Sequence, residues 1–237
     1  MIPMKDLNPR HRTPYVTIAL IIANVIIFFF EPLNSEAAFL EFADRWALIP
    51  KQLLDNFGSE AFTLITSTFL HGGLLHLGSN MLYLWIFGDN IEDKLGHGRF
   101  LIFYLICGIL AGFAQIAVDP SSAVPNVGAS GAVAGVLGAY FLLFPAAKVV
   151  TMVPILLFRR FQLPAWILLG LWFATQLLSG LPELAVGTGN GGVAFWAHIG
   201  GFVAGVLLVK LIGNTKKLDE IQINYLEREK EDLPLWD

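Results

Sequence analysis

Six stretches of the chain, residues 14–30, 69–87, 100–118, 127–144, 161–181 and 192–212, are almost unbroken runs of apolar and small side chains bounded by charged or turn-forming residues. A helix rises about 1.5 Å per residue, so crossing about 30 Å of hydrocarbon takes roughly 20 mostly apolar residues, within a range of about 17 to 25. All six stretches fit. None alternates apolar and polar positions with a period of two, as a barrel strand would, and irregular backbone cannot face lipid unsatisfied. Each is therefore predicted to be a spanning helix, and the expected fold is an all-α, polytopic six-helix bundle. A shorter apolar segment, residues 149–158, contains Pro154 and lies between Lys148 and the Arg159–Arg160 pair. It is not predicted to span.

The basic residues test this count, because Lys and Arg accumulate on the cytoplasmic side of a membrane. With the amino terminus inside, Lys5, Arg10, Arg12, Lys94, Arg99, Lys148, Arg159, Arg160, Lys210, Lys216, Lys217, Arg228 and Lys230 fall inside, and only Arg45 and Lys51 outside. So lopsided a split supports six spans with both termini cytoplasmic, and a seventh span at residues 149–158 would spoil it. The first span follows a basic stretch, as a signal peptide would, but its run exceeds the usual signal core and five more spans follow. Residues 1–213 are read as one membrane domain. Residues 214–237 are read as a short cytoplasmic tail, a brief helix with a loose end and no catalytic part. The external loop, residues 31–68, is long enough to be expected to contain helices of its own or to be functional.

Composition agrees. Of 237 residues, 55% are hydrophobic and 14% charged, against roughly 25% charged in a soluble domain. This excludes a cytosolic enzyme, a disordered protein or a nucleic-acid binder. Cys107 is the single cysteine, so neither an internal disulfide framework nor a cysteine-rich metal site can form.

Polar groups within an apolar span cost a few kcal/mol unless paired or hydrated, which makes them functional candidates. They are His71, His76 and Asn80 in span two, Asn126 and Ser130 at the start of span four, and His198 in span six. Asn24, Gln115 and Gln176 are weaker candidates, since such residues often serve only as partners between helices. Spans two, four and six all start at the external face, and His76, Ser130 and His198 lie within about two turns of those starts. One cavity open to outside water can reach all three. Gly131 and Gly135 in span four, and Gly201 and Gly205 in span six, have the four-residue spacing that lets helix backbones approach closely. This would bring Ser130 to His198.

The serine sits in Gly128-Ala129-Ser130-Gly131, where small neighbours permit a sharp turn and close backbone approach, at a helix start whose free N–H groups favour negative charge. His76 and Asn80, four apart, share one helix face and can aim two donors at a developing oxyanion. His71, about a turn and a half above His76, is expected nearer water, where it would keep the cavity hydrated. No Asp or Glu lies at the depth of Ser130 and His198, so the catalytic unit would be a dyad. No HExxH is present, and Asp89 has no aspartate in a facing span, so zinc and aspartyl intramembrane proteases are disfavoured. No cofactor or metal is expected. A transporter would need repeat-related halves and broken or charged helices at the midplane, and neither is seen.

The chain resembles the rhomboid serine proteases of membranes through His76-Leu77-Gly78-Ser79-Asn80, Gly128-Ala129-Ser130-Gly131 and Ala197-His198-Ile199-Gly200-Gly201, with Gly88-Asp89-Asn90-Ile91-Glu92-Asp93-Lys94-Leu95-Gly96 similar to the family's cytoplasmic turn. The resemblance implies Ser130 as nucleophile, His198 as general base and then acid, and His76 and Asn80 as oxyanion donors; His71, Gly128 and Gly131 are read from their positions as supporting residues. It implies transmembrane proteins as substrates, cleaved near the outer face within the lipid bilayer, with entry gated by span five and the glycine-rich residues 182–191. Ala134 departs from the family, some members of which place there an aromatic that stacks on the histidine; the orientation of His198 is thus left open. Arg45-Trp46 matches the family's Trp-Arg pair only in composition, and no role is assigned to it. A catalytically silent relative that binds or escorts membrane clients is the alternative, although such relatives usually lack the serine or histidine that this chain keeps. With no transit-like extension and a compact layout, a prokaryotic cytoplasmic membrane is the expected location.

Overall fold

The computed structural model describes residues 1–153, 159–186 and 193–213. Strand β1 (Ile2–Asp6) precedes helix α1 (Tyr15–Phe28). The loop that follows holds α2 (Glu36–Trp46), the short turns α3 (Pro50–Asp55), α4 (Phe57–Glu60) and α5 (Thr63–Thr66), and a 3₁₀ turn at Ser67–Phe69. Next come α6 (Leu74–Leu95), α7 (His97–Val118), α8 (Ser130–Leu143), strands β2 (Lys148–Val153) and β3 (Arg159–Pro164), α9 (Ala165–Val186) and α10 (Phe195–Ile212). Six principal helices thus overlap the six apolar stretches, although α6 starts five residues inside the second one and continues through residues 88–95, expected as a turn. The external loop does contain its own helices, and Ser35 caps α2 by accepting from the Ala38 N–H. By length and composition α7, residues 165–184 of α9, and α10 can each cross a membrane, whereas α1 and α8 are apolar but shorter.

The expectation of an all-α fold needs correction. β1, β2 and β3 form an antiparallel sheet in that order, with Ile2 opposite Met152 and Thr151 opposite Phe161. Val149, Val150, Thr151 and Val153 are β-branched, and such side chains pack well on a pleated surface. Residues 161–164 of the expected fifth span are consequently strand, and α9 starts only at Ala165. At its other end α9 runs through Pro182 to Val186, so the first half of the expected glycine-rich cap is helical. Residues 187–191 of that cap, residues 154–158 and the tail from 214 onward lie outside the described residues.

Two devices hold the bundle. The first is a seam of small residues. A Cβ added to Gly201 would collide with the carbonyl oxygen of Gly131, one on Gly205 with that of Gly135, and one on Gly138 with that of Phe202. α8 and α10 therefore touch backbone to backbone at three points over about two turns of α8. α7 closes the third side through Ala111 and Ala114, which occupy the space beside Gly131 and Gly200. The paired glycine spacings meet as their sequence pattern implied. The second device is buried charge at a helix end. Glu92 of α6 accepts from the N–H groups of Val16 and Thr17 at 2.8 and 2.7 Å and from the Thr17 hydroxyl at 2.7 Å. A carboxylate there satisfies free donors at the start of α1 and complements its dipole.

Candidate active site

Ser130 is the first residue of α8, His76 the third of α6 and His198 the fourth of α10, so all three lie in the first turns of their helices. The loop leading to Ser130 is held on both sides. Asn126 exchanges backbone hydrogen bonds with Leu48 at 2.8 and 3.2 Å, and the Gly128 N–H donates to the Ser67 carbonyl at 2.9 Å. Gly128 has φ +125°, a region L side chains rarely adopt. A Cβ there would lie 2.7 Å from His76 Nε2 and 3.6 Å from Asn80 Nδ2. The turn before the serine thus lies against both side chains read as oxyanion donors, and only glycine leaves room for the His76 ring. Asn80 is buried, and its Nδ2 has no hydrogen-bond partner among the described residues. An orphaned buried donor costs about 1–3 kcal/mol, which in a native structure calls for an explanation.

On the other side of Ser130, the seam sets the distance to α10. Gly201 lies against the Gly131 carbonyl, and a Cβ on Gly131 would collide with Ala111 of α7 while lying 3.8 Å from the Ala197 carbonyl oxygen. The Gln115 side chain in α7 accepts from the Ala197 N–H at 3.1 Å, satisfying a free donor at the start of α10. Ser130, His198, His76, Asn80, Gly128 and Gly131 are in this way gathered around the starts of α6, α8 and α10.

His71 is placed differently from expectation. It is fully buried rather than nearer water, with its ring edge-on to His76 at 5.1 Å between centroids. The cause is local. Before α6 the chain follows a 3₁₀ turn and then extends at Leu70, so His71 does not continue the helix outward. Its N–H instead donates to both carboxylate oxygens of Glu31 at 3.0 and 3.1 Å. Burial pushes the Glu31 carboxyl up to about 7, against the opposing effect of the His71 N–H. The His71 ring packs against that of His76.

The orientation of His198 is also resolved. Ala134 is buried and offers no aromatic surface, but Trp172 of α9 lies 5.8 Å from the His198 ring at an interplanar angle of 35°. His198 Nδ1 is 2.7 Å from Gln176 Oε1. Trp172 had not been singled out in the sequence and Gln176 only as a weaker candidate. Their signal was the spacing of four residues, which puts both on one face of α9.

The Rhomboid domain model matches residues 58–215, more than half of the chain. The chain belongs to the Rhomboid family. It is 32% identical over 170 residues to Rhomboid protein 1, mitochondrial, of Saccharomyces cerevisiae, covering 68% of this chain and 45% of that one. It is 34% identical over 126 residues to Rhomboid protease GluP of Bacillus subtilis, covering 53% of this chain and 24% of the relative. With Rhomboid-like protein 11, chloroplastic, of Arabidopsis thaliana it shares 31% identity over 156 residues, 64% of this chain and 52% of the other. The chain thus spans about half or less of the length of these relatives. As a Rhomboid domain protein it is an integral, multi-pass membrane protein with a mostly helical polytopic fold.

Proposed function

We propose that this chain is an intramembrane serine endopeptidase, a six-span protein with cytoplasmic termini that cleaves transmembrane segments of other membrane proteins near the outer face of a prokaryotic cytoplasmic membrane. The observation that carries the reading is the fit of Gly128 onto His76 and Asn80 beside Ser130, with the His198 segment in backbone contact with Gly131. In this mechanism His198 takes the Ser130 proton and the serine oxygen attacks the scissile carbonyl. Negative charge develops on the carbonyl oxygen at the start of α8, where free N–H groups, His76 and Asn80 Nδ2 stabilise it. His198 then returns the proton to the leaving amine, and water repeats the sequence on the acyl-serine. The unpartnered Asn80 donor supports this, because a group aimed at a transient oxyanion has no ground-state partner to find.

The alternative, a silent relative that binds clients, is disfavoured by the presence of both dyad residues. One experiment separates the two. Purified protein in proteoliposomes is expected to cleave a transmembrane substrate and to be labelled at Ser130 by a serine-reactive phosphonate. Both activities should vanish in Ser130→Ala, and labelling in His198→Ala. Undiminished cleavage by Ser130→Ala would sink the mechanism, and an inert parent protein would favour the client-binding reading.

A further inference from the structure

Gln176 makes three hydrogen bonds whose chemistry allows one arrangement. Its Oε1 is 2.7 Å from His198 Nδ1, while its Nε2 is 3.4 Å from the Trp172 carbonyl oxygen and 3.3 Å from Thr175 Oγ1. The Thr175 hydroxyl donates to the same Trp172 carbonyl at 2.6 Å, so its oxygen is free to accept from Gln176. A carbonyl oxygen only accepts, so the amide nitrogen must be the atom facing Trp172, and the amide oxygen then faces the imidazole. That oxygen also only accepts. Nδ1 must therefore carry the proton, and in a neutral imidazole the remaining nitrogen, Nε2, keeps its lone pair. Nε2 is the atom a serine base needs.

We propose that Gln176 is a positioning residue for His198: from α9 it holds the imidazole in the Nδ1–H tautomer, with Trp172 flanking the ring, so that Nε2 serves as the base toward Ser130. The proposal rests on the dyad reading above. Gln176 stands where a triad carries a carboxylate, but without charge, so it orients the ring while stabilising the imidazolium less. Because it rides on α9, the base is set while α9 is seated on α10. The Trp196 Nε1–H donates to the Gly180 carbonyl at 3.0 Å and pins that seat near its outer end.

The test uses the full chain in detergent, with ¹⁵N-labelled histidine and a transmembrane substrate. Wild-type protein is expected to show His198 as the Nδ1–H tautomer. Gln176→Leu should show a tautomer mixture and lower kcat by about 10- to 10²-fold, with KM changed less than about twofold. The loss is smaller than the roughly 10⁴ seen when a partner forces the wrong tautomer, because leucine leaves the tautomer free rather than inverted. Gln176→Glu should recover much of kcat and move the acid limb of its pH profile upward, since a carboxylate stabilises the protonated ring. Wild-type kcat in Gln176→Leu, a loss confined to KM, an Nε2–H tautomer in the wild type, or a folded Gln176→Glu as impaired as the leucine variant would each overturn the proposal. Should Gln176→Glu fail to fold, the tautomer spectra of wild type and Gln176→Leu decide alone. Phosphonate labelling of wild-type Ser130 keeps the two readings apart. A protein that labels and cleaves but ignores Gln176 overturns only this inference, whereas one that does neither removes the protease reading and the positioning role with it.

Discussion

Adding one methyl group at Gly205 is expected to harm stability and activity together, because of where the clash falls. A Cβ there meets the Gly135 carbonyl oxygen and lies 2.6 Å from the Gly135 carbonyl carbon and 2.7 Å from its Cα. Carbon atoms rest at about 3.5–4.0 Å, so the helices must part by about 1 Å. These are backbone atoms, and no rotamer change relieves the overlap. Overpacking of this kind costs typically about 1–3 kcal/mol. The larger effect is on rate. Parting α8 from α10 shifts Ser130 relative to His198, and a misplacement of about 1 Å costs on the order of 10² in rate. The assay is thermal unfolding in detergent alongside proteoliposome cleavage by Gly205→Ala. Gly98→Ala in α7 is the control, since a Cβ there meets nothing within 4 Å and the change is expected to be neutral or slightly stabilising. A Gly205→Ala protein with the parent's melting temperature and rate would refute the backbone-contact seam.

Other perturbations probe separate parts of the molecule. Gly128→Ala should cost about 1–3 kcal/mol for its φ of +125° and, by displacing His76 Nε2, slow cleavage by about 10²–10³, as measured by melting temperature and kcat. Glu92→Gln replaces one acceptor oxygen with a donor against the start of α1 and should lower unfolding stability by about 1.5–3 kcal/mol; an unchanged melting temperature would deny Glu92 its capping role. Asp6 accepts from the Tyr140 hydroxyl at 2.9 Å, and burial raises its carboxyl from 3.8 to about 7. A carboxyl with a higher pKa folded than unfolded favours the fold most below about pH 4 and loses that contribution as pH rises through about 7. Asp6→Asn should therefore flatten the decline in melting temperature across this window, and parallel curves for the two proteins would contradict it.

The legible features were those written in local pattern. Apolar runs marked all six principal helices, because a long apolar run has few other ways to satisfy its backbone in lipid. The glycine spacings pointed to the seam because backbone contact tolerates only small residues, and here the periodicity of the contact is the periodicity of the helix. His76, Asn80 and Ser130 were legible because polar side chains are rare in such runs. The sheet was not, since β1 and β2 are about 145 residues apart and strand pairing over that separation leaves no local trace. His71 was misplaced because counting turns assumes the helix continues, and the 3₁₀ turn before α6 ends that assumption.

By itself the sequence determined the solvent, the principal helices, the approach of α8 to α10 and the inventory of polar groups at the helix starts. These follow from composition and spacing, which act residue by residue along one chain. Tertiary structure alone decided which partner each polar group meets. Ala134 left His198 without a ring on its own side, and folding supplied Trp172 and Gln176 from α9 instead. Hydrogen-bond direction, tautomer and burial are properties of pairs brought together across the bundle, so they exist only once the helices are packed.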